Sequence, residues 1–362
     1  MLLPNQKHLK NETLHKTALT LEQNKMKFTI GYQDNDILKR TVLRMREHIG
    51  EVYFPYYSFT SGRGMPTIEQ QAKMESDLVE YVQAGLKGNL LLNGNCYGAR
   101  AQSRALFNRI GDALEHCIEK FALSSVTTTS PLIAKFIKMN FADIEVRASV
   151  NMEIGSAESM AYLAEHFDGF YAKREFNWSF SRLESMKKWC EQNNKKLYLL
   201  ANSGCFNFCP ARTFHDNLVA HQHEISEMDN AFEFHGMCHN FLKDKNAHAT
   251  LLRRLNFIRP EDTYLYENLC DAIKLATRTS RNPSAIVEAY CTRKFGGNAL
   301  DLTEPSHSGH LYPAIIDNSK IPQEYATNRL HCAKNCEACG YCNLIQKNAT
   351  ITLDKTEGIK QC

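Results

Sequence analysis

From residue 27 onward, short apolar runs alternate with amphipathic segments, and this alternation constrains the fold of the 362-residue chain more than any other property. The runs at 27–32, 51–57, 89–93, 124–130, 144–152, 168–173 and 196–202 read as strands. Helical spacing fills 36–46, 67–87, 101–121, 156–166 and 180–192, and Pro131 suits the first position of a further helix. Strands separated by helices imply parallel neighbours, because a parallel pair needs a long crossover connection. Seven such units in about 180 residues fit a closed (β/α)8 barrel better than an open sheet. No GxGxxG pattern follows the first strand, which weakens the dinucleotide-binding alternative. The eighth strand is expected at Asn256–Arg259, closed by Pro260-Glu261-Asp262 and a helix over 264–277.

The expected architecture is α/β: a TIM-like (β/α)8 barrel over 27–280 with a small, irregular, cysteine-rich C-terminal appendage over 281–362. Gly296-Gly297, Pro305, Pro313 and Pro322 interrupt any long element in that appendage, and the tail after Lys347 reads as mobile. Residues 1–26 read as a disordered extension: the first 25 are polar and lack the apolar middle of a signal peptide, and Met26 suits a start. No run reaches the roughly 18 apolar residues of a membrane span, and a net charge of +3 argues for no nucleic-acid surface by itself. A cytoplasmic protein is the expectation.

Active sites of such barrels lie at the C-terminal ends of the strands. Those ends are unusually polar here: Tyr57 and Ser58, Asn93, Asn95 and Cys96, Thr128 and Ser130, Ser149 and Asn151, Arg174 and Glu175, Asn202 through Cys209, and Arg259. The richest stretch is 201–240, with Cys205, Cys209 and Cys238 among His215, His221, His223, His235 and His239. So many soft ligands at the end of a buried strand point to a metal centre, with iron–sulfur favoured. Three cysteines leave a cubane one ligand short. Cys96, also at a strand end, is nominated as the fourth, with His235, His239, a substrate or an open iron as alternatives. Thirteen cysteines, an odd number, argue against a pure disulfide framework. Cys117, Cys190, Cys270 and Cys291 are isolated and read as buried thiols.

Cys332, Cys336, Cys339 and Cys342 form a second set, C-x3-C-x2-C-x2-C, suited to wrapping a 4Fe–4S cluster or zinc. Its first three cysteines match the spacing of radical S-adenosylmethionine enzymes, but those place the triplet after the first strand. Arg174 and Glu175 are candidates for substrate positioning or proton transfer, with a structural ion pair as the competing reading. His215 is a candidate proton carrier, and Asp216-Asn217 suit a helix cap.

Arg174-Glu175-Phe176, Asn202-Ser203-Gly204-Cys205 with Cys209-Pro210, Phe214-His215-Asp216-Asn217, Cys238 and Phe257 through Asp262 together resemble the peptidase U32 family over about residues 27–280. The terminal cysteine cluster resembles one found in a branch of that family. The resemblance implies a TIM-like barrel and a 4Fe–4S cluster held by four cysteines. It also implies oxygen-independent hydroxylation of ubiquinone precursors or RNA bases, proteolysis being assigned to other members. The longer cysteine spacing of hydroxylating members is absent here.

The expected function is an iron–sulfur enzyme carrying two clusters and making an oxygen-independent redox modification of a small molecule or RNA, served by an electron donor or partner protein. A metal- or cysteine-dependent peptidase using Cys205 and His215, and a non-catalytic electron-transfer or accessory protein, are the alternatives.

Overall fold

The computed structural model describes residues 26–353 apart from Arg63 and Thr279. The expected extension lies outside the described residues up to residue 25, as do Cys362 and the tail from residue 354. Eight parallel strands close into a barrel in sequence order: β1 Lys27–Gly31, β2 Ile49–Phe54, β3 Lys87–Leu92, β4 Leu123–Thr128, β5 Glu145–Ala148, β6 Gly169–Tyr171, β7 Lys196–Leu200 and β8 Ala272–Leu275. The helices α1 Asp36–Arg44, α2 Ile68–Gln83, α3 Arg104–Phe121, α4 Pro131–Asn140, α5 Ala157–Ala161 and α6 Phe180–Gln192 follow the first six strands. Local signals set their starts. Asn35, Ser103, Ser130 and Ser156 accept backbone N–H groups at N-caps, Thr67 and Gln70 form a capping box, and Pro131 opens α4.

The first seven strands fall where the alternation predicts them. The eighth does not. Asn256–Arg259 is buried and extended, yet it crosses the end of β7, where Ile258 N donates to Ala201 O at 2.8 Å and Asn177 Nδ2 donates to Asn256 O at 2.9 Å. The true β8 pairs with both β1 and β7, and the helix expected over 264–277 is replaced by a 3-10 turn over Pro260–Tyr266 and this strand. Arg259 accordingly leaves the rim and is held by both oxygens of Asp262, at 2.7 and 2.9 Å.

Between β7 and β8 runs a long excursion carrying α7 Arg212–Ala220, α8 Gln222–Ser226, α9 Met237–Phe241 and α10 Leu251–Arg254. After β8, α11 Pro283–Thr292 packs against α1 and completes the helical ring, so the barrel extends past the boundary expected at 280. The region expected to be irregular is also more ordered than its prolines suggest. It holds α12 Ser308–Leu311, the strand β9 Ala314–Ile316 and α13 Glu324–Thr327, then α14 Cys336–Cys339 and α15 Tyr341–Ala349. Beyond Lys347 the chain is not loose at once, since β10 Thr350–Thr352 pairs antiparallel with β9.

Strand alternation gives the barrel an apolar exterior and a polar interior. Ile30, Val52, Leu90, Val126, Val146 and Ile273 are buried in the large apolar core, whereas Glu51, Asn89, Ser125 and Arg147 form a buried hydrogen-bonded group within the barrel. Glu51 pairs with Arg147. Arg147 Nε also donates to Glu145 Oε1 at 2.8 Å, and Tyr198 OH donates to the same oxygen at 2.5 Å. Among the described residues, no helix is long and apolar enough to cross a membrane.

Candidate functional site

The chemistry gathers on the excursion after β7. Gly204 fixes where it leaves the barrel: an added Cβ would stand 1.9 Å from Pro305 O, closer than any side chain tolerates. Backbone bonds from Gly204 N to Glu304 O and from Glu304 N to Asn202 O, each 2.8 Å, hold this crossing, and His307 Nε2 bonds Gly204 O at 2.8 Å. Gly204→Ala is therefore expected to cost about 1–3 kcal/mol of stability by forced overpacking, read as a lower urea midpoint. An unchanged midpoint would show that the two backbones separate freely.

The loop that follows brings Cys205 and Cys209 beside Cys238. Burial raises the Cys238 thiol, with the neighbouring Cys205 and Cys209 adding to it. Cys238 lies beside His215, for a Cβ placed on Gly236 would meet Cys238 Sγ at 3.6 Å and His215 Cε1 at 3.5 Å. Arg174 and Glu175 are both buried directly beneath this loop. Arg212 Nη2 meets Glu175 Oε1 at 2.9 Å and donates to Phe206 O at 2.8 Å, while Phe208 N donates to Glu175 Oε1 at 3.3 Å. Arg174 reaches Glu153 at 3.1 Å and Asn151 at 2.6 Å. Their visible work is to brace the cysteine loop, although Glu175 Oε2 remains buried without a hydrogen-bond partner among the described residues.

Imidazoles crowd the other side of Cys238. The His239 ring lies 5.7 Å from His235 and 5.1 Å from His310, with His248 and His307 at 6.5 and 6.4 Å from His310. The sequence reading singled out only His235 and His239. The other three come from two distant segments, His248 from one and His307-x2-His310 from the other.

Cys96 does not join this group. His221 sits at the C-terminal end of α7, whereas Cys209 precedes its start, and nine helical residues span about 13 Å. Cys96 lies at that far end: its Sγ accepts from Gly98 N at 3.3 Å, and a Cβ placed on Gly98 would meet His221 Cε1 at 3.9 Å. The barrel-mouth thiols are therefore three, with the nearby imidazoles as the available further donors.

Cys332, Cys336, Cys339 and Cys342 line one cavity of about 220 Å³, together with Arg253, Arg329 and Lys334. Arg329 is the informative neighbour. It is 3% exposed, its Nε has no hydrogen-bond partner, and it makes no ion pair with a carboxylate among the described residues. Its cation lies over the Trp178 and Tyr325 rings at 4.3 and 5.0 Å, its Nη1 donates to Tyr325 OH at 2.5 Å, and Cys342 and Cys332 stand nearby. A buried guanidinium needs a compensating anion, which the cysteines of this cavity would supply on binding a metal. Four thiols with a buried cation match a negatively charged metal–thiolate centre in donor type. Among the described residues no three of His, Cys, Asp and Glu stand in ligand-ready geometry, so a bound metal would have to draw these side chains inward.

The two thiol groups adjoin. Lys334 Nζ donates to Asn207 Oδ1 at 3.2 Å and to Asn256 Oδ1 at 2.6 Å, which ties the terminal cluster to the loop between Cys205 and Cys209. Burial and the neighbouring Arg329 push the Lys334 ammonium down to about 8. Cys117, Cys190, Cys270 and Cys291 are buried away from both groups, and burial raises each thiol.

No family model matches the chain. It is 24% identical over 326 residues to an uncharacterized protease of Methanocaldococcus jannaschii, an alignment spanning 86% of this chain and 92% of that one. Apart from Phe257 through Asp262, the residues that carry the U32 resemblance lie around the thiol-rich loop after β7, and the alignment with the archaeal relative runs through nearly the whole length. The chain is U32-like. The solved U32 peptidase Mk0906 aligns with 69% of the U32-like chain and 91% of its own, at 13% identity and a TM-score of 0.49.

Proposed function

We propose that this U32-like protein is an iron–sulfur enzyme that makes an oxygen-independent redox modification, hydroxylation being the candidate reaction, of a small molecule or RNA at the barrel mouth. The observation that carries the proposal is the pairing of two thiol groups through one loop, the terminal one around a buried arginine that lacks a carboxylate. Cys205, Cys209 and Cys238 would hold the working cluster, and Cys332, Cys336, Cys339 and Cys342 a second cluster or zinc. A bound cluster supplies one-electron transfer and, at an iron with an open position, a Lewis acid. The protein's own contribution is placement. Glu175 and Arg212 fix the cysteine loop, Arg174 anchors Glu153, and His215 stands beside Cys238 as a group able to carry a proton. Asp216, raised by burial against the pull of Arg174 and Arg212, is a second proton-carrying group beside it.

Anaerobically purified protein is expected to contain iron and sulfide, and Cys205→Ala and Cys336→Ala are each expected to remove about half of both. Absence of iron, sulfide and broad visible absorption in the wild type ends the proposal. Loss of zinc but no iron in Cys336→Ala reduces it to one cluster. The name of the archaeal relative favours hydrolysis as a second reading. Among the described residues no hydrogen bond joins Cys205 to His215, so a nucleophile for hydrolysis is better sought elsewhere.

A further inference from the structure

Four imidazoles near the mouth thiols behave differently from the other histidines of the excursion. His221, His223 and His235 each pair with a glutamate, at 2.8, 3.5 and 3.0 Å. His239, His248, His307 and His310 pair with no carboxylate among the described residues and lie against one another instead. A turn that bonds His310 N to His307 O at 3.1 Å delivers two of them from α12 and the residue before it. His239 comes from α9 and His248 from the 3-10 turn Lys245–Thr250.

Two of these rings are already held as ligands are held. His307 Nε2 donates to Gly204 O and His248 Nε2 donates to Leu242 O, each at 2.8 Å. A carbonyl only accepts, so the proton sits on Nε2, and the neutral ring keeps its lone pair on Nδ1. A histidine that binds metal is normally fixed in this way, its second nitrogen donating to a backbone carbonyl. The rings of His239 and His310 make no hydrogen bond among the described residues, which leaves their nitrogens for a ligand. Burial, and then the neighbouring imidazoles, hold His307 and His310 below the ordinary histidine range. Both therefore stay in the neutral form that metal requires.

Zinc–nitrogen bonds of about 2.0–2.1 Å at tetrahedral angles put the centres of two imidazoles about 5 Å apart. His239 and His310 stand at 5.1 Å. His248 and His307 lie 6.5 and 6.4 Å from His310, wider by roughly 1.5 Å. No three of the donors converge as they stand among the described residues, but staggered rotamers of one imidazole differ by more than that distance.

We propose that His239, His248, His307 and His310 form a binding site for one divalent ion of the zinc type, separate from both thiol groups. Imidazole suits zinc, copper and nickel, and zinc, with no geometric preference of its own, accepts an unevenly spaced set. The ion brackets the mouth thiols: His239 follows Cys238, and His307 holds the carbonyl of Gly204 next to Cys205. On this assignment the imidazoles serve their own ion and not the cysteines.

The test uses the full-length, anaerobically purified protein. It is treated with diethyl pyrocarbonate at pH 7, with and without excess zinc chloride, and mass spectrometry resolves each histidine. Zinc is expected to slow modification of His239 and His310 about tenfold, while the exposed His223 reacts as before. His310→Ala should abolish the protection of His239, and His239→Ala that of His310. Protection should persist in Cys205→Ala and Cys336→Ala, and iron and sulfide should be unchanged in His310→Ala. The proposal is overturned if zinc protects neither histidine, if protection vanishes in Cys205→Ala, or if His310→Ala loses iron, which would make the imidazole a ligand of the mouth cluster. Wild-type protein without iron would end the cluster proposal and leave this test intact.

Discussion

Arg147→Ala is expected to lower the free energy of unfolding by about 3–5 kcal/mol, the range for removing one partner of a buried ion pair. Arg147 is 6% exposed and neutralises Glu51 and Glu145 inside the barrel, with its guanidinium 4.3 Å from the Tyr198 ring centroid. Alanine leaves two buried carboxylates facing each other across a cavity. Urea denaturation at pH 7 measures the loss, and a cost below about 1 kcal/mol would mean that water enters and solvates them. The same group sets an acid limit. Burial works against ionisation of Glu145, but Arg147, Lys196 and Tyr198 outweigh it and hold the carboxyl down to about 2. A carboxyl lower in the folded than in the unfolded chain adds stability that is complete above about 4.5 and fades as pH falls toward about 2. From the linkage relation this is on the order of 3 kcal/mol. In Glu145→Gln that part of the acid limb should vanish, so the urea midpoints at pH 2.5 and pH 5 should lie closer together than in the wild type.

The second large effect is expected from Arg329→Gln. Glutamine carries no charge, so on the reading proposed above the metal-bound Cys332 and Cys342 would lose the cation that offsets them. The terminal centre should then bind metal about 10–100-fold more weakly, the usual consequence of removing a supporting neighbour, while Cys205, Cys209 and Cys238 keep theirs. Metal content measured across a chelator titration separates the two populations. Equal retention in wild type and variant would reduce Arg329 to packing against Trp178 and Tyr325. Because the side chain is wholly buried, Arg329→Lys serves as the control: it keeps the charge and should recover most of the affinity.

Legibility in the sequence followed the range of the interactions. β1 through β7 could be read because each is a compact apolar run set between capped helices. β8 is not where the pattern puts it because Leu265, Leu269 and Ile273 fall four residues apart and satisfy a helical period, while Phe257-Ile258 within the buried Asn256–Arg259 imitates a strand. What decides between them is pairing with β1, which no local pattern carries. The cysteines of 332–342 stand out because their spacing is local, as does Cys205-x3-Cys209, whereas Cys238 comes beside that pair only through the fold of the excursion. His248, His307 and His310 are not marked in the sequence because two segments far apart, 245–250 and 307–311, deliver them. Cys96 ends a strand as its sequence position suggests, but only the length and direction of α7 show that the neighbourhood of Gly98 meets His221, at the end of that helix away from Cys209.

The closing seam has a kinetic consequence. Lys27 pairs with Ala272, and β8 supplies just four residues to join β1 to β7 across it. During synthesis β1 and β7 remain bare parallel edges until residues 201–271 have emerged, and such edges invite pairing with other chains. The added entropy of a long excursion grows only slowly with its length, by about 0.6 kcal/mol per doubling, so equilibrium stability tolerates it easily. Folding speed does not share that tolerance, because contacts this distant in sequence form late. The segment that carries the chemistry is therefore also the interval through which the unfinished barrel must wait, and aggregation during expression should fall most sharply once the nascent chain extends beyond Leu275.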